Sequence, residues 1–256
     1  MPQRIVVKLG TSVLTGGTPR LSRQRMLEIV QQAAARHQQG HEVTIVSSGA
    51  VAAGRERLNF PELDRSLPAK QMLSAIGQSR LMQVYGELFD IFEIVVGQVL
   101  LTREDLGNRT RFLNARDTLL TLIDRRIIPI INENDTVATH EIRFGDNDRL
   151  AALVARLVGA DQLVLLSDVD ALYTAPPTMT GAIRIPNVAY GDALDGVEIG
   201  ATQSGWGTGG AATKVQAARL AADAGTRVLL TETRLLGAVL DGERHGTEFA
   251  ARPAGS

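Results

Sequence analysis

Three lysines, Lys8, Lys70 and Lys214, stand in a chain that otherwise places arginine, 24 times, wherever it wants a basic side chain. An ammonium is a compact point charge that a planar guanidinium does not replace, so a lysine kept against that bias marks a candidate site. Chance retention is the plain alternative. Lys8 closes the apolar run of VVKLGTSVLTGG (Val6–Gly17) and is followed by Gly10, Thr11 and Ser12. Gly10 admits close approach of a ligand to the backbone, and the N–H groups after it suit an anion. The same residues also read as a strand-to-loop turn with a snorkelling lysine. Lys214 ends SGWGTGGAATK (Ser204–Lys214), where GWGTGG satisfies G-x-G-x-x-G. No hydrophobic strand precedes it, which removes the dinucleotide reading. Thr213 before Lys214 and Val215 after it remove the P-loop reading. A glycine loop, a helix start and a lysine one turn in remain, a combination suited to polyphosphate.

Three further segments carry chemistry. IVSSGAVAAG (Ile45–Gly54) runs from a strand through Ser47, Ser48 and Gly49 into a helix. Its hydroxyls and helix start suit a carboxylate or phosphate, or Ser48 simply caps the helix. Between Ile131 and Leu150, Asn132, Glu133, Asn134, Asp135, Asp146, Asn147 and Asp148 crowd together after a strand. Carboxylates and amides so gathered suit an ammonium or a divalent cation, although the spacing is not that of an EF-hand. Polar turns plus capping of the next helix by Asp146 or Asn147 is the alternative. In LVLLSDVDALYTA (Leu163–Ala175), a strand exits into Ser167, Asp168 and Asp170, and Asp168 either holds a ribose or base or is an acidic turn. His37, His41, His140 and His245 form no i, i+4 pair or triad, and cysteine is absent. Thiolate catalysis, Cys-ligated zinc and disulfides are thereby excluded, and proteolysis and zinc hydrolysis fit poorly.

Positioning these groups requires a regular scaffold. Apolar runs rich in Val and Ile predict strands at Arg4–Leu9, Glu42–Ser47, Ile94–Leu101, Ile127–Ile131, Gln162–Ser167 and Arg227–Thr231. Helical periodicity predicts helices at Leu21–Gln39, Ser66–Leu88, Arg109–Arg126, Asp148–Val158 and Ala211–Ala224, the first capped by Ser22 and stopped by Gly40. The runs are nearly continuous, as in strands covered on both faces, so the class is α/β with a mostly parallel sheet. No repeat or long linker divides the 256 residues, and one domain over 1–256 is expected. Gly191–Gly210 is too long for a plain connection and is a candidate functional loop.

The bulk composition narrows the partners. With 44% hydrophobic and 21% charged residues and a mean hydropathy of +0.02, the chain reads as a globular protein. Basic and acidic side chains number 27 and 28, so the net charge of −1 lacks the excess a non-specific nucleic-acid binder needs. The apolar run before Lys8 is too short for a signal core, and no stretch approaches the ~18 apolar residues of a membrane span. No nucleic acid, no membrane and a cytoplasmic setting are the expectations.

In order along the chain, VVKLGTS, SSGAVAAG, NARDTL, INENDTVA, FGDNDRLAA, DVDALYT and GWGTGGAATK resemble the amino acid kinase family, from about Arg4 to Phe249. The resemblance implies a three-layer α/β/α sandwich and ATP-dependent phosphorylation of the L-glutamate side-chain carboxylate, the first step of proline synthesis. Carried over by position, Lys8, Lys214 and Asp148 are the catalytic residues: Lys8 on the transferring phosphoryl group, Lys214 on the nucleotide side, Asp148 orienting both. Ser48, Asn132, Asp135 and Asn147 match glutamate-binding positions, mainly in the N-terminal half. Lys8, Gly10, Ser167, Asp168, Thr208, Gly209, Gly210, Ala211, Ala212, Thr213 and Lys214 match ATP-binding positions, mainly in the C-terminal half.

Ser167 stands where the family often has Thr, and Ala171 where it often has Gly; both touch only nucleotide fit. The resemblance also implies Mg²⁺ with the ATP, its ligands unassigned, inhibition by L-proline, and a homo-oligomer, dimer or tetramer. Many relatives carry a C-terminal PUA domain, and a form without one is expected here. A carboxylate with a reference pKa of ~4.3 is already an anionic nucleophile at neutral pH. The reaction therefore asks for charge neutralisation and alignment rather than a general base. Acetylglutamate or aspartate kinase activity, or a non-catalytic sensor on the same fold, are the alternatives; Lys8, Asp148 and Lys214 occurring together count against the sensor.

Overall fold

The structure is a computed structural model that describes residues 1–64, 66–138, 147–195, 197 and 210–253. In chain order its elements are β1 (Arg4–Leu9), α1 (Thr11–Thr15), α2 (Arg23–Gln38), β2 (Glu42–Ser47), α3 (Ala50–Arg57), α4 (Leu67–Asp90) and β3 (Val96–Leu101). Then come α5 (Arg103–Gly107), α6 (Arg109–Asp124), β4 (Ile128–Glu133), α7 (Asn147–Val158), β5 (Gln162–Ser167), β6 (Leu172–Tyr173), β7 (Arg184–Ile185) and β8 (Asn187–Val188). The remainder is α8 (Ala211–Asp223), β9 (Arg227–Glu232), α9 (Leu236–Leu240) and β10 (Thr247–Phe249).

One sheet runs β3-β4-β2-β1-β5-β9-β10-β8. From β3 to β9 every pairing is parallel; β10 then lies antiparallel to β9, and β8 parallel to β10. Leu9 pairs with Ser47, Leu101 with Glu133 and Ser167 with Glu232, which brings the carboxyl ends of these strands to one edge. Ligands of open parallel sheets bind beyond that edge.

Alternation along β1 separates two cores. Ile5, Val7 and Leu9 pack with Met26, Ile29 and Val30 of α2 and Leu81 and Val84 of α4. Val6 packs on the other face with Leu119 and Ile123 of α6, Leu150 and Val154 of α7, and Val215 and Ala218 of α8. The expected α/β/α sandwich with a mostly parallel sheet is thus observed. Among the described residues no helix is long and apolar enough to cross a membrane.

The predicted elements are present, with differences at their ends that have physical causes. Ser22 caps α2 by accepting from the Arg25 N–H at 3.3 Å, and Gly40 follows with φ +94°. β4 continues two residues past Ile131, through Asn132 and Glu133, which are polar yet buried. β6, β7, β8 and β10 are two or three residues long, too short for a periodic signal. Of the candidate loop Gly191–Gly210, residues 196 and 198–209 lie outside the described residues.

Candidate active site

Lys8 follows Val6 on the α7–α8 face of the sheet, one residue before the carboxyl end of β1. Two helices begin opposite it. Asp148 sits in the first turn of α7, where a carboxylate also meets the positive end of the helix dipole, and it has no exposed surface. The Lys8 Nζ lies 2.5 Å from Asp148 Oδ1, and the Lys214 Nζ, in the first turn of α8, lies 3.2 Å from Oδ2. The Thr213 hydroxyl is 3.1 Å from the same Oδ2, and it also accepts from the Gly210 N–H at 3.1 Å, which ties the start of α8 to the carboxylate. Ions this deeply buried are costly unless paired. Among the described residues, two ammonium groups thus face one carboxylate, an excess of positive charge at a sheet edge that suits a polyanion. Gly10 adjoins it: a Cβ there would stand 3.7 Å from the Lys8 Nζ.

A second set of polar groups lies at the ends of β2 and β4. The Asn147 amide nitrogen is 2.7 Å from the Ser47 carbonyl oxygen, 2.8 Å from Asn132 Oδ1 and 3.2 Å from Ser48 Oγ. Ser48 does not cap the next helix. Gly49 holds the cap position of α3 at φ +94°, a left-handed conformation that favours glycine, and Ser48 keeps its hydroxyl beside Asn147. Beneath it the Ser47 hydroxyl is 2.8 Å from the phenol of Tyr85, whose burial pushes its pKa well above the ordinary tyrosine value. Asp135, half-buried, accepts from Ser74 Oγ at 2.8 Å. Asn132 donates to Gln78 Oε1 at 2.8 Å, and Gln78 donates to Gln98 Oε1 at 3.0 Å.

The structure therefore brings Ser48, Asn132 and Asn147 together, and Asn147 is the chain neighbour of Asp148. Ser74, Gln78 and Gln98 were not among the residues singled out from sequence. The signal was present in α4, where Ser74 and Gln78 interrupt a buried stripe of Leu73, Leu81 and Val84 at i, i+4 spacing.

Of the residues expected to bind ATP, Ser167 ends β5, Asp168 follows it exposed, and Gly210, Ala211 and Ala212 open α8 half-buried. Thr208 and Gly209 lie outside the described residues, as do residues 139–146 with the capping candidate Asp146. Asp170 accepts from the Tyr173 hydroxyl at 3.0 Å, which raises the pKa of that phenol.

The profile of the amino acid kinase family matches residues 3–232. Glutamate 5-kinase of Yersinia enterocolitica is 52% identical over 254 residues, covering 97% of this chain and 69% of that protein. Glutamate 5-kinase of Serratia proteamaculans matches to the same extent. Among solved structures, carbamate kinase from Giardia lamblia bound to AMP-PNP superposes with a TM-score of 0.71 at 15% identity, over 98% of this chain and 99% of that one. The last likeness concerns the fold alone.

Proposed function

The chain belongs to the amino acid kinase family, and from that premise we propose that it transfers the γ-phosphoryl group of ATP to the side-chain carboxylate of L-glutamate, giving L-glutamyl 5-phosphate. The observation that carries this reading is the pair of lysines bridged by Asp148 beside the Asn147–Ser48 group. The 52% identity to proteins named glutamate 5-kinase supports the choice of acceptor.

Lys8 neutralises charge on the transferring group, Lys214 does so on the nucleotide side, and Asp148 holds the two ammonium groups at a fixed spacing. Their action is electrostatic preorganisation, since a glutamate carboxylate needs no deprotonation. Ser48, Asp135 and Asn147, backed by Asn132, hold glutamate. Gly10, Ser167, Asp168 and the start of α8 from Gly210 to Lys214, with Thr208 and Gly209 before it, hold ATP.

Mg²⁺ would enter with the ATP phosphates, whose charge it would offset. Among the described residues no three His, Asp or Glu side chains gather as a metal site, and the Asp148 oxygens already face lysines, so no residue is assigned to the ion. We further propose one amino acid kinase domain carrying both substrates, acting in the cytoplasm as a dimer or tetramer, whose mass sedimentation velocity would read.

The test is ADP release with L-glutamate, N-acetylglutamate and L-aspartate offered separately. Release driven by L-glutamate is expected; equal or faster release with either other acceptor would replace this reading. L-Proline shares glutamate's α-carboxylate and a cationic nitrogen, so it is expected to raise the apparent KM for glutamate. Initial rates at sub-saturating glutamate that ignore millimolar proline would contradict shared use of this pocket.

A further inference from the structure

The amide groups behind the glutamate side run in one direction. Asn147 donates to Asn132, Asn132 to Gln78, and Gln78 to Gln98, at 2.8, 2.8 and 3.0 Å. Backbone groups fix that sense. The Ser47 carbonyl can only accept, so the nitrogen of the Asn147 amide must face it at 2.7 Å. The Glu133 N–H can only donate, so the oxygen of the Asn132 amide must face it at 2.8 Å. Asn132 then has its NH₂ turned toward α4, where Gln78 Oε1 receives it; both side chains are buried. The Asn147 nitrogen has three acceptors for two protons, and among the described residues no donor reaches its oxygen.

We propose that Gln78, steadied by Gln98, is a positioning and specificity-determining residue: it locks the Asn132 amide and through it the Asn147 amide, so that Asn147 offers a carbonyl oxygen to the ligand. A carbonyl oxygen recognises a donor, so the device selects an acceptor molecule that carries an ammonium group over the same dicarboxylate without one. Removing the Gln78 acceptor strands a buried NH₂ on Asn132; as that amide turns to find another partner, Asn147 loses its Asn132 acceptor and is left with the Ser47 carbonyl as its one backbone anchor, which holds the amide less tightly. This inference rests on glutamate being the acceptor and adds to that reading the part of glutamate that is read and the residues that enforce it.

The test compares L-glutamate with glutarate, which has both carboxylates and no amine, in the wild-type protein, Gln78→Leu and Gln98→Leu. Calorimetry gives the Kd of L-glutamate, competition the Ki of glutarate, and steady-state rates the KM of ATP. In Gln78→Leu, L-glutamate is expected to weaken at least about tenfold, the range for stranding a buried donor, with glutarate and ATP within about twofold of wild type. Gln98 lies exposed on β3, so Gln98→Leu keeps the question answerable if Gln78→Leu does not fold; it should shift the glutamate-to-glutarate ratio the same way, by about threefold. Parallel loss of both dicarboxylates, as a general structural defect would give, overturns the proposal, as does an unchanged ratio in the folded variants. A wild-type protein that binds L-glutamate yet makes no product would overturn the proposed reaction instead, and the affinity ratio would still decide this proposal.

Discussion

Asp148 holds two ammonium groups from a position with no solvent contact, and each side chain of the three depends on the others for its charge to be tolerable there. Substitutions should therefore separate catalysis from folding differently at each member. Lys214 is on the outer side, in the first turn of α8, with 11% of its side chain exposed. Lys214→Ala is expected to lower kcat by ~10²–10³, the range for loss of one preorganised charge-stabilising donor, with little change in thermal midpoint. A folded variant with near-wild-type kcat would remove Lys214 from the machinery. Asp148→Asn keeps the shape and loses the charge between the lysines. It should cost activity to a similar degree and also stability, by about 3–5 kcal/mol on the scale of a broken buried ion pair, while ATP still binds. Turnover within about threefold of wild type would contradict the organising role.

Helices α3 and α4, beside the proposed glutamate side, meet at two glycines. A Cβ at Gly77 of α4 would stand 1.6 Å from the Ala50 carbonyl oxygen of α3, and one at Gly54 would stand 2.0 Å from the Leu73 carbonyl oxygen. Such a contact forces the helices apart, and α3 begins directly after Ser48 and Gly49 while α4 bears Ser74 and Gln78. Gly77→Ala should lower the thermal midpoint and raise the KM for glutamate more than that for ATP. Gly86→Ala, on the same helix with open space at its Cβ, should instead stabilise by roughly 0.5–1 kcal/mol through helix propensity. Equal effects of the two in chemical denaturation would refute the close-packing account. This scale also shows what sequence makes legible. Buried parallel strands announce themselves as apolar runs, so β1, β2 and β5 are read to the residue, and Lys8, Asp148 and Lys214 stand out by type. The amide chain through Gln78 and Gln98 does not, because each glutamine alone is an ordinary polar residue and only the pairing of β3 with β4 under α4 makes it a relay. The short strands β8 and β10 escape for lack of length, and the capping role open to Ser48 is decided by the conformation of Gly49, which no local pattern states.

Across the whole molecule, the site occupies one edge of the sheet, and one group that bears on acid stability, His37, lies away from it near the end of α2. That histidine is buried, and burial together with the neighbouring Arg126 guanidinium holds its pKa below the ordinary 6.5. The unfolded chain thus takes up more protons than the folded one once pH falls below about 6.5, so stability declines with acidification. Denaturant midpoints at pH 7.5 and 5.5 should differ, and His37→Gln should shrink that difference; an unchanged difference would assign the acid sensitivity to other groups. The central claim is that a lysine–aspartate–lysine set transfers phosphoryl to the glutamate side-chain carboxylate, and an acyl phosphate at that position reacts with hydroxylamine. The most direct measurement is therefore γ-glutamyl hydroxamate formed from ATP, L-glutamate and hydroxylamine by wild-type protein and by Asp148→Asn side by side. Formation that requires ATP and falls at least about a hundredfold in Asp148→Asn is the expected result. No hydroxamate from the folded wild-type protein, or equal amounts from both, would contradict the account.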